Sequence, residues 1–236
     1  MKKDNRKIQR RYKQGCAVID DAFKADSKVV FIRIDLYYRD NKSSLDKINK
    51  DLNKLNVNSH TKPTIFKDCI NYITKLEKGD NDNYHAHALF TFKGHNVRNH
   101  KYKAEQIGKY WQDSITKGDG CYYNCNTEKY DKYYLGTIHR NDTEAINSLK
   151  ENVLNYLCKD EQSIKNNDGS DKKIKEFRCS AVANKKARIN EHISFIVMVF
   201  SSFRLFPGRA YRLLAARASA TISLSSMWCF SWPTTW

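Results

Sequence analysis

The chain has no apolar run long enough to cross a bilayer. Its most apolar stretch, Ile193 to Phe203, has 11 residues, about half of the roughly 20 that a spanning helix needs. The opening Met1-Lys2-Lys3-Asp4-Asn5-Arg6 leads into more polar residues rather than an apolar segment, so no secretory signal is expected. Seven cysteines are scattered without the pairing that a disulfide scaffold would show, and a reducing cytoplasm is the expected compartment. Cys121 and Cys125 have no second pair at zinc-finger spacing. Acidic charge is also scarce: 26 Asp and Glu face 42 Lys and Arg, a net +16. Such a surplus attracts polyanions and favours nucleic acid over acidic proteins or membranes as a partner. With a mean hydropathy of -0.74 and 40% hydrophobic residues, the chain is polar yet able to bury a core.

The composition changes near the end. Nineteen Asn precede position 181 and two follow it, and no Lys follows Lys186. Residues 181–236 therefore read as an atypical tail: out-of-frame or fused sequence, a packing helical extension, or a membrane-surface segment. Residues 1–27 read as a basic arm carrying one or two short helices. Residues 28–180 form the expected domain.

Within that domain, Val29 to Tyr38 alternates as a strand. Ile32, Ile34 and Leu36 take one face; Phe31, Arg33, Asp35 and Tyr37 take the other. Ser43-Ser44 caps a helix over 44–55, with Leu45, Ile48, Leu52 and Leu55 at helical spacing, and a loop with Pro63 follows. A hairpin runs through strand 69–77, turn 79–83 and strand 84–92. A helix spans 103–116 with Trp111 as a core residue, and another spans 143–158. Short strands at 121–123 and 133–138 lie within an aromatic, basic region at 121–140, a candidate DNA-facing surface. There Tyr122, Tyr123, Tyr130, Tyr133 and Tyr134 offer ring faces, and Lys129, Lys132 and Arg140 offer charge. Residues 160–176 read as a polar connection. Together these elements predict an α+β fold, a mostly antiparallel sheet with helices on one face.

The chemistry centres on Tyr84-His85-Ala86-His87-Ala88-Leu89. Strand period two puts His85 and His87 on one side, where two imidazoles can share a divalent ion or stand as two half-exposed polar residues. One hairpin register sets Glu77 beside His85 as a third ligand, with Asp35 the second choice; Glu77 can equally be a solvated edge carboxylate. His95 follows in a loop at the far end of the strand. Tyr156 and Lys159, three apart on a helix, could pair a phenol with an ammonium, or be ordinary helix-surface residues.

The strand Ile32-Arg33-Ile34-Asp35-Leu36-Tyr37, then Glu77, then Tyr84-His85-Ala86-His87-Ala88-Leu89, then Lys93-Gly94-His95, a helix with Trp111, and Tyr156-x-x-Lys159 together resemble the inovirus Gp2-like replication proteins. That group includes prophage relatives with a YagK/YfjJ C-terminal domain. More broadly the order resembles HUH-type rolling-circle replication endonucleases. The resemblance spans about residues 25–180. Phe177-Arg178-Cys179-Ser180 matches a late segment, with Cys179 where a Gly-type turn would be expected. It implies His85 and His87 as metal ligands with Glu77, Mg²⁺ or Mn²⁺ as the ion, Tyr156 as nucleophile and Lys159 as its neighbour. Arg33, Lys129, Lys132, Tyr133 and Arg140 would contact DNA. The implied activity is nicking of single-stranded origin DNA in a bacterial host's cytoplasm, with host helicase and polymerase as partners. A DNA-binding replication or regulatory protein without catalysis is the alternative.

Overall fold

The computed structural model describes residues 2–39, 43–79, 83–128, 135–159, 164 and 175–182. The chain divides into two compact units, Met1–Val182 and Ala183–Trp236. Apart from Ala181 and Val182, the expected tail lies outside the described residues, as do Lys129, Tyr130, Lys132, Tyr133 and Tyr134.

The first unit is built on strands β1 (Lys28–Tyr38), β2 (Cys69–Lys78), β3 (Tyr84–Lys93), β4 (Gly120–Asn124), β5 (Gly136–His139) and β6 (Phe177–Cys179). They form one sheet in the order β4-β1-β3-β2-β6, with β5 also pairing β1. Each of these pairings is antiparallel. The fold is thus α+β, a central antiparallel sheet flanked by helices.

Alternation assigns the two faces. Ile32, Ile34, Leu36, Leu76, Ala86, Ala88 and Phe90 point one way. Helices α2 (Leu45–Thr61) and α3 (His100–Tyr110) cover them with Ile48, Leu52, Leu55, Ala104 and Ile107. Val29, Phe31, Ile73 and Leu89 point the other way. They pack under α1 (Lys2–Ala25) and a helical run made of α4 (Thr143–Ser148), a π-helical stretch Leu149–Leu154 and α5 (Asn155–Cys158). Helices therefore lie on both faces, not on one as the sequence suggested. The reason is local: Arg33 and Asp35 make only half of the second face polar. Fully burying a side chain the size of Phe31 or Leu89 stabilises the fold by about 1.5–3 kcal/mol, so the apolar half draws its own cover.

The basic first 27 residues supply part of that cover. They form one helix rather than two short ones, with Val18, Ile19, Ala22 and Phe23 in the core. Helix α2 starts at the expected cap, where the Ser44 side chain accepts from the Lys47 amide at 3.2 Å. It runs on to Thr61 instead of ending near 55, because Asn56 and Ser59 turn inward and each donates a hydrogen bond there. Asn56 Nδ2 donates to Thr74 Oγ1 at 3.3 Å and Ser59 Oγ to the Asn56 carbonyl at 2.7 Å. Helix α3 begins three residues earlier than expected, capped by Asn99, whose side chain accepts from the Tyr102 amide. A π-helical turn, Trp111–Ile115, ends that helix; Trp111 is fully buried and donates to the Tyr37 carbonyl at 3.3 Å. The entry to β5 needs Gly136: its φ is +92°, and a Cβ there would meet the His100 ring at 3.0 Å. No helix among the described residues is long and apolar enough to cross a membrane.

Candidate metal centre

The face that is apolar at Phe31, Ile73 and Leu89 turns polar along the same strands. The hairpin register pairs Glu77 with His85 and Lys75 with His87. On the other side of β3, His87 is opposite Asp35. Strand period and register alone thus gather Glu77, His85, His87 and Asp35 on one patch of sheet.

Glu77, His85 and His87 each offer one ligand atom, all within 4.8 Å of one another. Glu77 Oε2 is 3.5 Å from His85 Nε2 and 3.3 Å from His87 Nε2. Two ligands each about 2.1 Å from one ion stand about 3.0 Å apart at octahedral and about 3.4 Å apart at tetrahedral angles, so these separations suit a shared ion. His87 supplies a sharper test of fit. Its Nδ1–H donates to Asp35 Oδ1 at 2.7 Å, which leaves the Nε2 lone pair facing Glu77. That Nε2 atom is buried and makes no hydrogen bond. A metal-ligating histidine has this arrangement: one ring nitrogen held by a carboxylate, the other aimed into the site. Asp35, the second choice for third ligand, is the group that holds His87. Exposure falls from His85 at 23% to Glu77 at 8% and His87 at 6%, so the cluster opens to solvent on the His85 side. Two imidazoles and one carboxylate leave coordination positions for water or a substrate oxygen.

Charges within the patch support one another. Burial works against the Glu77 anion, but the adjacent His85 and His87 rings outweigh it and hold the carboxyl at about 2. Asp35 is likewise lowered: His87 and Arg33 overcome its burial. Burial disfavours the His87 cation, yet Asp35 and Glu77 prevail and raise its pKa above the usual imidazole value.

Tyr156, in α5, reaches this patch. Its ring centroid is 5.3 Å from that of His87, and the planes meet at 77°. His85 meets His87 edge to face, with centroids 5.0 Å apart and planes at 82°. The guanidinium of Arg33 lies 4.5 Å from the Tyr156 ring centroid. Burial pushes the Tyr156 phenol above its ordinary value, and Arg33 opposes that rise.

Helix α5 ends at Cys158, and Lys159 is its C-cap with an exposed side chain. Arg33, expected to contact DNA, is buried at 8% exposure. Arg140 is exposed beyond β5, at the end of β1 away from Asp35, where its amide donates to the Ser27 carbonyl. His95 is also at that end of the sheet, its Nδ1 3.1 Å from Asp26 Oδ1. Tyr122 and Tyr123 direct their hydroxyls to Glu105 and Glu128, each at 2.6 Å. The sequence did not single out the Asp35–His87 bond or the Arg33–Tyr156 contact. Their strand faces were readable, but the β1–β3 register and the path of α5 were not. The chain matches none of the protein-family models, curated proteins or solved structures with which it was compared.

Proposed function

We propose that this protein is a metal-dependent DNA-nicking enzyme of the HUH type, related to the inovirus Gp2-like replication proteins, acting on single-stranded origin DNA. The observation that carries the proposal is the contact between Tyr156 and His87, a phenol against a member of a three-ligand cluster. The net charge of +16 supports a polyanionic substrate.

His85, His87 and Glu77 would hold the ion, and Asp35 would fix the His87 ring. The mixed nitrogen and oxygen donor set favours Mn²⁺ over Mg²⁺, which prefers oxygen ligands. When bound, the ion would polarise the scissile phosphate and neutralise its charge. Tyr156 Oη would attack phosphorus, losing its proton to water. The P–O3′ bond breaks and the leaving 3′-oxygen takes up a proton. The products are a 5′-phosphotyrosine link and a free 3′-hydroxyl that a polymerase can extend.

The test is incubation with a single-stranded oligonucleotide and Mn²⁺, followed by a denaturing gel. A shifted, denaturant-resistant band is expected from the wild type and not from Tyr156→Phe. A wild type without adduct, or an adduct that persists in Tyr156→Phe, would end the proposal. The same ligand cluster and net charge of +16 also support a second reading, a metal-holding DNA-binding protein without strand cleavage. It predicts Mn²⁺-dependent DNA binding with no covalent product.

A further inference from the structure

Arg33 stands at a gap in the sheet. β4 pairs with β1 from Ile34 to Tyr38, and β5 pairs with it from Lys28 to Phe31. Between these two ladders, the backbone of Arg33 faces no strand on that side among the described residues. A buried peptide group cannot be left without partners cheaply. The side chain of Asn126 supplies both: Oδ1 accepts from the Arg33 N–H at 3.3 Å, and Nδ2 donates to the Arg33 carbonyl at 2.7 Å. A carboxamide carries the same donor and acceptor as a peptide, so Asn126 acts as one residue of strand inserted into the gap. It is fixed in turn. Asn124 Oδ1 accepts from the Asn126 amide at 3.1 Å, and Asn124 Nδ2 donates to Glu105 of α3 at 3.0 Å.

From this anchored backbone the Arg33 side chain reaches two functional groups. Its guanidinium carbon is 4.5 Å from the Tyr156 ring centroid, and its Nε is 3.4 Å from Asp35 Oδ1. The same Asp35 oxygen accepts from His87. One planar cation therefore bridges the phenol and the carboxylate that orients a metal ligand, a double duty that suits guanidinium better than ammonium. Tyr156 lies near the end of the helical run, which stops two residues later at Cys158.

The geometry points to Arg33 as the positioning residue that holds the Tyr156 ring against His87, with Asn126 holding Arg33. Its consequence for catalysis rests on the nicking proposal; the positioning does not. Two measurements on the full chain separate them. With 3-fluorotyrosine at position 156, the wild type should give one fluorine resonance displaced from that of the free amino acid. Arg33→Ala and Asn126→Ala should move it toward the free value. So should Arg33→Lys, which keeps the charge and offers a second variant where the alanine changes unfold the protein. An unchanged resonance overturns the inference, whether or not the protein cuts DNA. In single-turnover reactions with oligonucleotide and Mn²⁺, Arg33→Ala should lower the maximal adduct rate by about tenfold or more, with half-saturating DNA and Mn²⁺ nearly unchanged. Methylguanidinium should restore part of that rate. A loss confined to half-saturation, with the maximal rate intact, overturns the inference. A wild type that forms no adduct removes the nicking proposal alone, and the fluorine resonance still decides whether Arg33 positions Tyr156.

Discussion

Nδ1 of His87 donates to Asp35 at 2.7 Å, and this single bond turns Nε2 of the same ring toward Glu77, 3.3 Å away. Asp35 comes from β1 and Glu77 from β2, on opposite sides of the strand that carries His87. The candidate centre is therefore a property of three adjacent strands.

Asp35→Asn should weaken divalent-ion binding by about 10–100-fold while the ligand set stays intact, as loss of a ligand-orienting carboxylate does elsewhere. Titration calorimetry with Mn²⁺ on wild type and variant checks this. Equal affinities would mean that Asp35 has no part in orienting the ring.

Metal affinity should rise with pH. An ion needs the neutral His87 imidazole, whose pKa is raised in the metal-free fold, so protons compete above the pH at which an ordinary histidine has already released its own. Mn²⁺ dissociation constants measured between pH 6 and 8.5 should tighten across that interval (about two and a half decades in proton concentration). A flat profile contradicts the competition.

The metal-free protein should also show the sign of the Glu77 shift. A carboxyl that titrates at about 2 when folded, against 4.5 ordinarily, stabilises the fold fully above the ordinary value. That contribution fades as pH falls from about 4.5 toward about 2. Urea unfolding should find wild type more stable than Glu77→Gln above that window, with the gap closing inside it. The His87 shift has the opposite sign: its contribution is complete below about 6.5 and is lost as pH rises through the higher folded value.

Helix α1 should be indispensable. Ile19 is fully buried against the sheet, so Ile19→Ala should cost about 2–5 kcal/mol in urea unfolding. Deleting residues 1–27 should abolish the cooperative transition. A truncated chain that unfolds as cooperatively as the full one would restore the picture of a detachable arm.

The strands that carry the site were legible because alternation in Val29–Tyr38 and Tyr84–Phe92 is a local signal. The Gly79–Asn83 turn offered a register with Glu77 beside His85, and the structure has it. The end of α2 was less legible, because Asn56 and Ser59 are buried through hydrogen bonds that an apolar periodicity does not register. The apolar group Val18, Ile19, Ala22 and Phe23 marked a helix in the sequence, but its place on the second face depends on contacts with strands that no local pattern shows.

By itself the sequence determined the strands, the faces of their side chains and the pairing of two histidines, since each depends on neighbours a few residues apart. Only the tertiary structure decided that Asp35 holds His87, that Asn126 fills the gap beside Arg33, and that Arg33 lies over Tyr156. Those contacts join residues 52, 93 and more than 100 positions apart. They depend on strand order and on where a helix crosses the sheet, which no local pattern encodes.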